Sequence, residues 1–288
     1  MKIGIDSYCY HRFFGEVYMD QVKPEKLMTT KEFLDRAKKL KVEGVSLETC
    51  FLERTDKSYL EELEAMLDEY GFDRVWAWGH PLGLERGLNP DAFRQMKEMI
   101  PLAKSIGAGV MRVVASSRKF RHENHKEQID RLILQLREAV KIAEDYKVKL
   151  AVENHLDFTA DEILSLIEAV GSPYFGINFD TGNFLRLLDD PVRGMELLAK
   201  YTFAVHLKDL AVNPKEARPS DWFYFAGVPV GQGLVDNQAL VNILAKTGFD
   251  GFLAVEIDHP HYDWRGREEE AVSLSVEGMR RLVMNVND

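Results

Sequence analysis

Apolar residues along the chain come in short runs rich in β-branched side chains. Each run ends in polar residues and is followed by a segment whose apolar positions recur every three or four residues. Eight runs read this way: KIGIDSY (2–8), VEGVSLE (42–48), RVWAWGH (74–80), GVMRVVAS (109–116), KLAVENH (149–155), FGINFDTG (175–182), TFAVHLKD (202–209) and GFLAVEID (251–258). They are nearly continuous rather than alternating, which marks strands covered on both faces, as in a parallel sheet. The segments between them predict helices over 30–41, 58–70, 91–106, 126–146, 160–170, 191–200, 237–247 and 268–285. In the first of these, Phe33, Leu34, Ala37 and Leu40 share one face. Thr29 with Glu32, Ser58 with Glu61 and Thr159 with Glu162 have the spacing of a capping box. Gly71, Gly107, Gly171 and Gly248 stand just past four of the helices, where a left-handed residue closes the last turn.

Eight strand–helix units in 288 residues fit the α/β class and a single (β/α)8 TIM barrel, a fold of typically about 250 residues. A doubly wound sheet is the competing architecture. It would place a glycine-rich turn after the first strand, where this chain has DSYCYHR. No linker or low-complexity tract interrupts the pattern, so one domain over residues 1–288 is expected. The longest connection, about 210–236, carries Trp222, Phe223, Tyr224 and Phe225. Connections of that length are often functional, and this one reads either as a small packed hairpin or as a substrate wall.

Composition narrows the function classes. With 45% hydrophobic and 29% charged residues the chain can bury a core, which excludes disorder as its main state. No stretch approaches the ~20 apolar residues that cross a bilayer. The N-terminus meets polar residues too early for a signal peptide, so a cytoplasmic location without a membrane partner is expected. Cys9 and Cys50 cannot build a disulfide framework. Against 37 basic residues stand 47 acidic ones, a net charge of −10, which disfavours nucleic acid. A small molecule is the expected partner, and a homo-oligomer or a small second subunit is compatible with the chain.

A barrel carries its chemistry at the C-terminal ends of its strands. The fifth run ends in Glu153, Asn154 and His155, the sixth in Asp180, the seventh in His206 and the eighth in Glu256. Three carboxylates on one rim repel one another and take up protons unless a cation neutralises them. A divalent ion accepts such a set of three oxygens and one nitrogen. The oxygens favour Mn²⁺ or Mg²⁺, with Co²⁺ and Zn²⁺ also compatible. Any one of these residues alone reads equally well as a strand-end acid paired to a local Arg or Lys. Four at matching depth on consecutive strands point to a metal.

Other residues have two readings each. His155 either turns inward from its loop as a general base or anchors the loop. Lys208 shares a face with His206 and either stabilises an enolate oxygen or donates a proton, since burial lowers a lysine pKa, or it pairs with a rim acid. Glu48, His80 and Arg112 are sugar-hydroxyl partners or polar barrel layers. His11, Arg12, Phe13 and Phe14 follow the first strand and are placed to wall a pocket. His259 and His261 lie past the eighth strand and read as loop. GQG at 231–233 reads as a turn before a helix rather than a phosphate cradle.

The strand ends VENH, NFDTGN, VHLKD and AVEID resemble those of the xylose-isomerase-like TIM-barrel superfamily, in its sugar phosphate isomerase and epimerase branch, and the resemblance covers essentially the whole chain. It implies that Glu153, Asp180, His206 and Glu256 hold one divalent metal, often manganese. In the ketose 3-epimerases of that superfamily the two glutamates also exchange protons with a substrate carbon from opposite faces, a role implied here for Glu153 and Glu256. Those epimerases usually carry a histidine three residues after the metal-binding Asp, where this chain has Asn183. They also carry an arginine a few residues beyond the metal-binding His, where HLKD supplies Lys208. ENH and HLKD look closer to members that act on oxidised sugars, such as C-glycoside deglycosidases and 3-oxo-isoapionate decarboxylase.

The expectation is a metal-dependent enzyme acting on a keto-sugar or an oxidised sugar derivative. The metal would polarise a carbonyl, and a carboxylate or histidine would remove the neighbouring proton. The enolate is then reprotonated, as in isomerisation or epimerisation, or expels a β-substituent; loss of CO₂ reaches the same enolate. Glu153, Glu256, His155 and Lys208 are the candidate catalytic residues, and His80, Arg112, Asn183 and Trp222 the candidate sugar contacts. An apurinic endonuclease on the same barrel would need further histidine and acidic ligands and a basic face. Eight scattered histidines and the charge of −10 argue against it.

Overall fold

The computed structural model describes residues 1–18 and 21–286, and within them the eight apolar runs close into one barrel. Its strands are β1 (Lys2–Asp6), β2 (Gly44–Glu48), β3 (Asp73–Ala77), β4 (Val110–Val114), β5 (Lys149–Glu153), β6 (Phe175–Asp180), β7 (Thr202–Leu207) and β10 (Phe252–Val255). Each pairs in parallel with the next, and β10 returns to β1. The long connection holds β8 (Asp209–Val212) and β9 (Phe225–Val228), which pair as an antiparallel hairpin. No helix among the described residues is long and apolar enough to cross a membrane.

Among the described residues, ten helices accompany the strands. They are α1 (His11–Phe14), α2 (Thr30–Lys39), α3 (Lys57–Tyr70), α4 (Pro90–Ser105), α5 (His125–Tyr146), α6 (Ala160–Val170), α7 (Asn183–Arg186), α8 (Pro191–Leu198), α9 (Asn237–Ala245) and α10 (Glu268–Met284). The capping boxes at Thr29 and Thr159 both form. Ser58 is not a cap. Helix α3 starts one residue earlier, and Asp56 accepts the Tyr59 N–H at 3.3 Å while Ser58 Oγ donates to Asp56 at 2.7 Å. A carboxylate there also answers the positive end of the helix dipole, which a hydroxyl cannot do.

Strand residues alternate between the helix layer and the barrel interior. At the N-terminal end the interior is filled by Phe252, packed with Val75, Val110, Ala204 and Ala254. Gly4 and Gly44 face that ring so closely that a Cβ on either would run into it. Two steps up β2, β4 and β6 the inward positions become polar, with Ser46, Arg112 and Asn178 buried. A further two steps up β2 and β6 bring Glu48 and Asp180 to the C-terminal rim.

The plug at the base is therefore a packing unit. Gly44→Ala should cost about 1–3 kcal/mol by overpacking. Phe252→Ala should cost about 3–5 kcal/mol by leaving a cavity. Denaturant titration measures both, and a neutral Gly44→Ala would show that the ring has room to move.

Candidate active site

Glu153 ends β5, and the next residue sets its neighbour. Asn154 donates from Nδ2 to the Asp180 carbonyl at 2.9 Å and accepts the Asp180 N–H at 2.8 Å, which locks the ends of β5 and β6 together. Thr181 does the same between β6 and β7, exchanging hydrogen bonds of 2.9 Å with the backbone of Lys208 through its hydroxyl. Asp180 spends Oδ1 on the amides of Gly182 and Asn183, both at 2.9 Å, so Oδ2 is left facing the barrel mouth. In the sheet register Asp180 lies beside His206 and His206 beside Ala254, so Glu256, two residues on, shares their face.

One ligand atom from each of Glu153, Asp180, His206 and Glu256 lies within 4.8 Å of the others, and all four residues are buried. His206 Nδ1 contacts Glu256 Oε2 and stands 3.6 Å from Glu153 Oε1 and 4.0 Å from Asp180 Oδ2. Its other nitrogen, Nε2, faces Asp6 Oδ2 at 3.4 Å. That is the arrangement in which an outer carboxylate orients a ligating imidazole. Three carboxylates and one imidazole, buried and gathered this closely, are a donor set that fits a divalent cation.

Three buried cations offset part of the negative charge around this point. Arg112 reaches from β4 to Glu48 and, through Nε, to Glu153 Oε2 at 3.2 Å. Lys208 Nζ lies 2.8 Å from Asp180, 2.9 Å from Asp258 and 3.3 Å from Glu256. Arg186, on α7, grips Asp258 with both terminal nitrogens. Burial alone would raise the Glu153 carboxyl, but Arg112 and His206 hold it below the usual carboxylate range. Asp180 is pushed up to about 6, first by burial and then by the charges of Glu256 and Glu153, against the pull of Lys208. For Lys208 the expected direction is reversed. Burial pulls its pKa down, but Asp180, Asp258 and Glu256 outweigh it and raise it well above the ordinary lysine value. These acids favour the charged, ammonium form of Lys208.

Glu48, Arg112, Glu153, Lys208, Glu256 and Asp258 line an open cavity of about 440 Å³. His80, Arg112, Asn183 and Trp222, the candidate sugar contacts, all line it, as do His155 and Lys208. His155 is presented by a tight turn. The next residue, Leu156, takes a left-handed φ of 55°, and Asp157 Oδ1 accepts the His155 N–H at 3.0 Å. A non-glycine residue in that region is strained, as is common at functional sites. Asn183 Nδ2 reaches Glu153 at 3.4 Å and its carbonyl accepts from Lys208 and Arg186, also at 3.4 Å.

Other expectations need correction. His11, Arg12, Phe13 and Phe14 do not wall the cavity. After β1 a single 3-10 turn leads into α1, which directs Arg12 to Glu268 at 2.6 Å and packs Phe13 and Phe14 on the core. From the same segment it is Tyr8, Glu16 and Tyr18 that line the site. Of the four aromatics in the long connection Trp222 faces the cavity, while Phe223 stacks on His259 at 4.8 Å. The amides of Gly231 and Gly233 are spent on Asp209 at 2.8 and 2.9 Å, which agrees with a turn there. Asp6, Arg186 and Asp258 were not among the residues expected at the site. Asp6 and Asp258 carried a signal, as acids at the ends of the first and eighth runs; Arg186 carried none.

Residues 34–282 match the xylose isomerase-like TIM barrel family. The chain is 28% identical over 159 residues to 3-oxo-isoapionate decarboxylase of Pectobacterium atrosepticum, 54% of each chain. It is also 28% identical over 184 residues to the L-ribulose-5-phosphate 3-epimerase UlaE of Escherichia coli, 62% of this chain and 60% of that one. It therefore spans little more than half the length of these curated relatives. Among solved structures, the IOLI protein with a bound zinc atom matches over 100% of both chains with a TM-score of 0.75 at 18% identity, a likeness of fold. The family match runs from α2 through β10 into α10 and takes in every strand that contributes to the acid-and-imidazole cluster. The chain belongs to the xylose isomerase-like TIM barrel family.

Proposed function

We propose that the protein is a divalent-metal-dependent enzyme that removes a proton from the carbon beside the carbonyl of a keto-sugar or an oxidised sugar derivative. The observation that carries this reading is the convergence of Glu153, Asp180, His206 and Glu256 within 4.8 Å, with Glu153 and Glu256 lining an open cavity. The relatives support it: one is named a sugar epimerase, one a decarboxylase of an oxo-acid, and the IOLI structure holds zinc. Three oxygen donors to one nitrogen favour Mn²⁺. Bound there, the ion would supply Lewis acidity to the substrate carbonyl.

The chain's own residues do the rest. Glu153 and Glu256 stand three strands apart round the rim and reach a sugar carbon from different sides. One removes the proton and the other returns it, which is epimerisation or isomerisation. The Lys208 ammonium meets the negative charge that grows on the substrate oxygen. Arg112 keeps Glu153 ionised and in place. His155, on the cavity wall, passes a proton to or from the substrate. Trp222 gives the sugar an apolar face.

A second reading, a lyase, is favoured by Lys208 and Asn183. The Lys208 ammonium among Asp180, Glu256 and Asp258 is suited to stabilising the enolate oxygen, while His155 protonates a leaving group or the carbanion left by loss of CO₂. Incubating metal-loaded protein with keto-sugars in D₂O separates the readings. Deuterium entering a ketose epimer supports epimerisation, and release of a β-substituent or of CO₂ supports the lyase. No exchange and no turnover with any of them would end the proposal.

Three outcomes are expected. Elemental analysis should find close to one divalent ion per chain, lost in Asp180→Asn and His206→Ala. Loading wild type to about 100 times the Kd should add about 2.7 kcal/mol of stability, because the ion binds only the folded state. Metal-free wild type with full activity would refute this.

His155→Ala and Lys208→Met should keep their metal and each lose on the order of 10²–10⁴ in kcat. Full activity in both would leave the chemistry to the two glutamates.

Trp222→Ala should raise KM on the order of 10-fold, about 1.4 kcal/mol. Phe223→Ala should instead lower the melting temperature with KM unchanged, since its partner is His259. The reverse pattern would exchange their roles.

A further inference from the structure

Lys208 is held from behind. Asp258 Oδ2 contacts its ammonium at 2.9 Å, and Asp258 is in turn gripped by Arg186, whose two terminal nitrogens reach both carboxylate oxygens, one at 2.7 Å. The Arg186 side chain has no solvent exposure. Its remaining nitrogen, Nε, donates to the Phe225 carbonyl on β9 at 3.1 Å. Its guanidinium lies 5.2 Å from the ring centre of Trp222. One planar group therefore touches the aromatic wall of the cavity, the backbone of the hairpin and the carboxylate that holds Lys208. Only a guanidinium has the flat fork and spare donor to do all three.

Lys208 also lies near Asp180 and Glu256, but both belong to the candidate metal cluster. Asp258 is the carboxylate beside Lys208 that lies outside that cluster. An anchor outside the metal set keeps the ammonium in one place whatever the metal ligands do. We propose that Arg186 is a positioning residue which, through Asp258, fixes Lys208 at the floor of the cavity and ties that position to the seating of the Trp222 hairpin. This rests on the reading of Lys208 as a working group of the metal-dependent enzyme proposed above.

A buried ion pair that only stabilises the fold would give a different result. Loss of Arg186 would then lower the melting temperature and leave kcat of the folded enzyme unchanged, independently of Lys208. The test is a pair of double-mutant cycles on Mn²⁺-loaded protein: Arg186→Met with Lys208→Met, and Asp258→Asn with Lys208→Met. Asp258→Asn keeps the side-chain volume and carries the test if Arg186→Met does not fold.

The rate of solvent deuterium exchange into the ketose used by wild type is followed with metal content. Arg186→Met and Asp258→Asn should each lower kcat about 10- to 100-fold, change KM less than about 3-fold and keep one ion per chain. In the Lys208→Met background neither should lower the rate further. Arg186→Lys, which keeps the charge without the fork, should not restore kcat. Losses that multiply across the cycles, or full recovery in Arg186→Lys, overturn the proposal.

Acetic anhydride labelling of Lys208, read by mass spectrometry, reports on its position without turnover. Labelling should rise at least about tenfold in both single variants as the ammonium is released from its anchor. If wild type exchanges no deuterium, a tenfold rise overturns the reaction and leaves the positioning standing. Unchanged labelling overturns the positioning.

Discussion

The molecule's chemistry depends on a crowd of buried carboxylates at one end of the barrel. Glu48, Glu153, Asp180, Glu256 and Asp258 share a small volume with three buried cations, Arg112, Arg186 and Lys208. An ionised carboxylate taken out of water without compensation costs several kcal/mol. The local structure answers that cost at each acid in turn. Asp180 takes two backbone amides, Glu153 takes Arg112, and Asp258 takes both Arg186 and Lys208. What remains uncompensated points to one place, and a divalent ion is the species that fits there. The site is thus an excess of negative charge that the fold gathers and directs.

Much of this was legible because strands obey a period of two and barrels put their chemistry at strand ends. The same rule that selected Glu153, Asp180, His206 and Glu256 applies to Asp6 at the end of the first run and to Asp258, two residues past Glu256. Applied evenly, it reaches both. Arg186 is different in kind. Its place follows from how the single turn of α7 packs beneath a hairpin some forty residues further along, and no local spacing encodes that. His11 to Phe14 were misplaced for a related reason: the pattern locates the end of β1, but not the direction in which a 3-10 turn sends the chain. At α3 the cap moved from Ser58 to Asp56 because two cap-forming residues two positions apart compete, and the carboxylate takes the N–H.

The two departures from the ketose 3-epimerase pattern meet in space. Asn183 bridges Glu153, Lys208 and Arg186, so a neutral amide sits between an acid of the metal set and two cations. An amide does not titrate, whereas a histidine would change charge within the physiological range. Asn183 and Lys208 therefore form one coupled replacement, in which the fixed charge lies on the lysine and the asparagine distributes hydrogen bonds.

The ring of Phe252 and the two glycines pressed against it close the far end of the barrel. With that end stoppered, the cavity opens at the rim beside Trp222, so a substrate entering the proposed site and a product leaving it would share that opening.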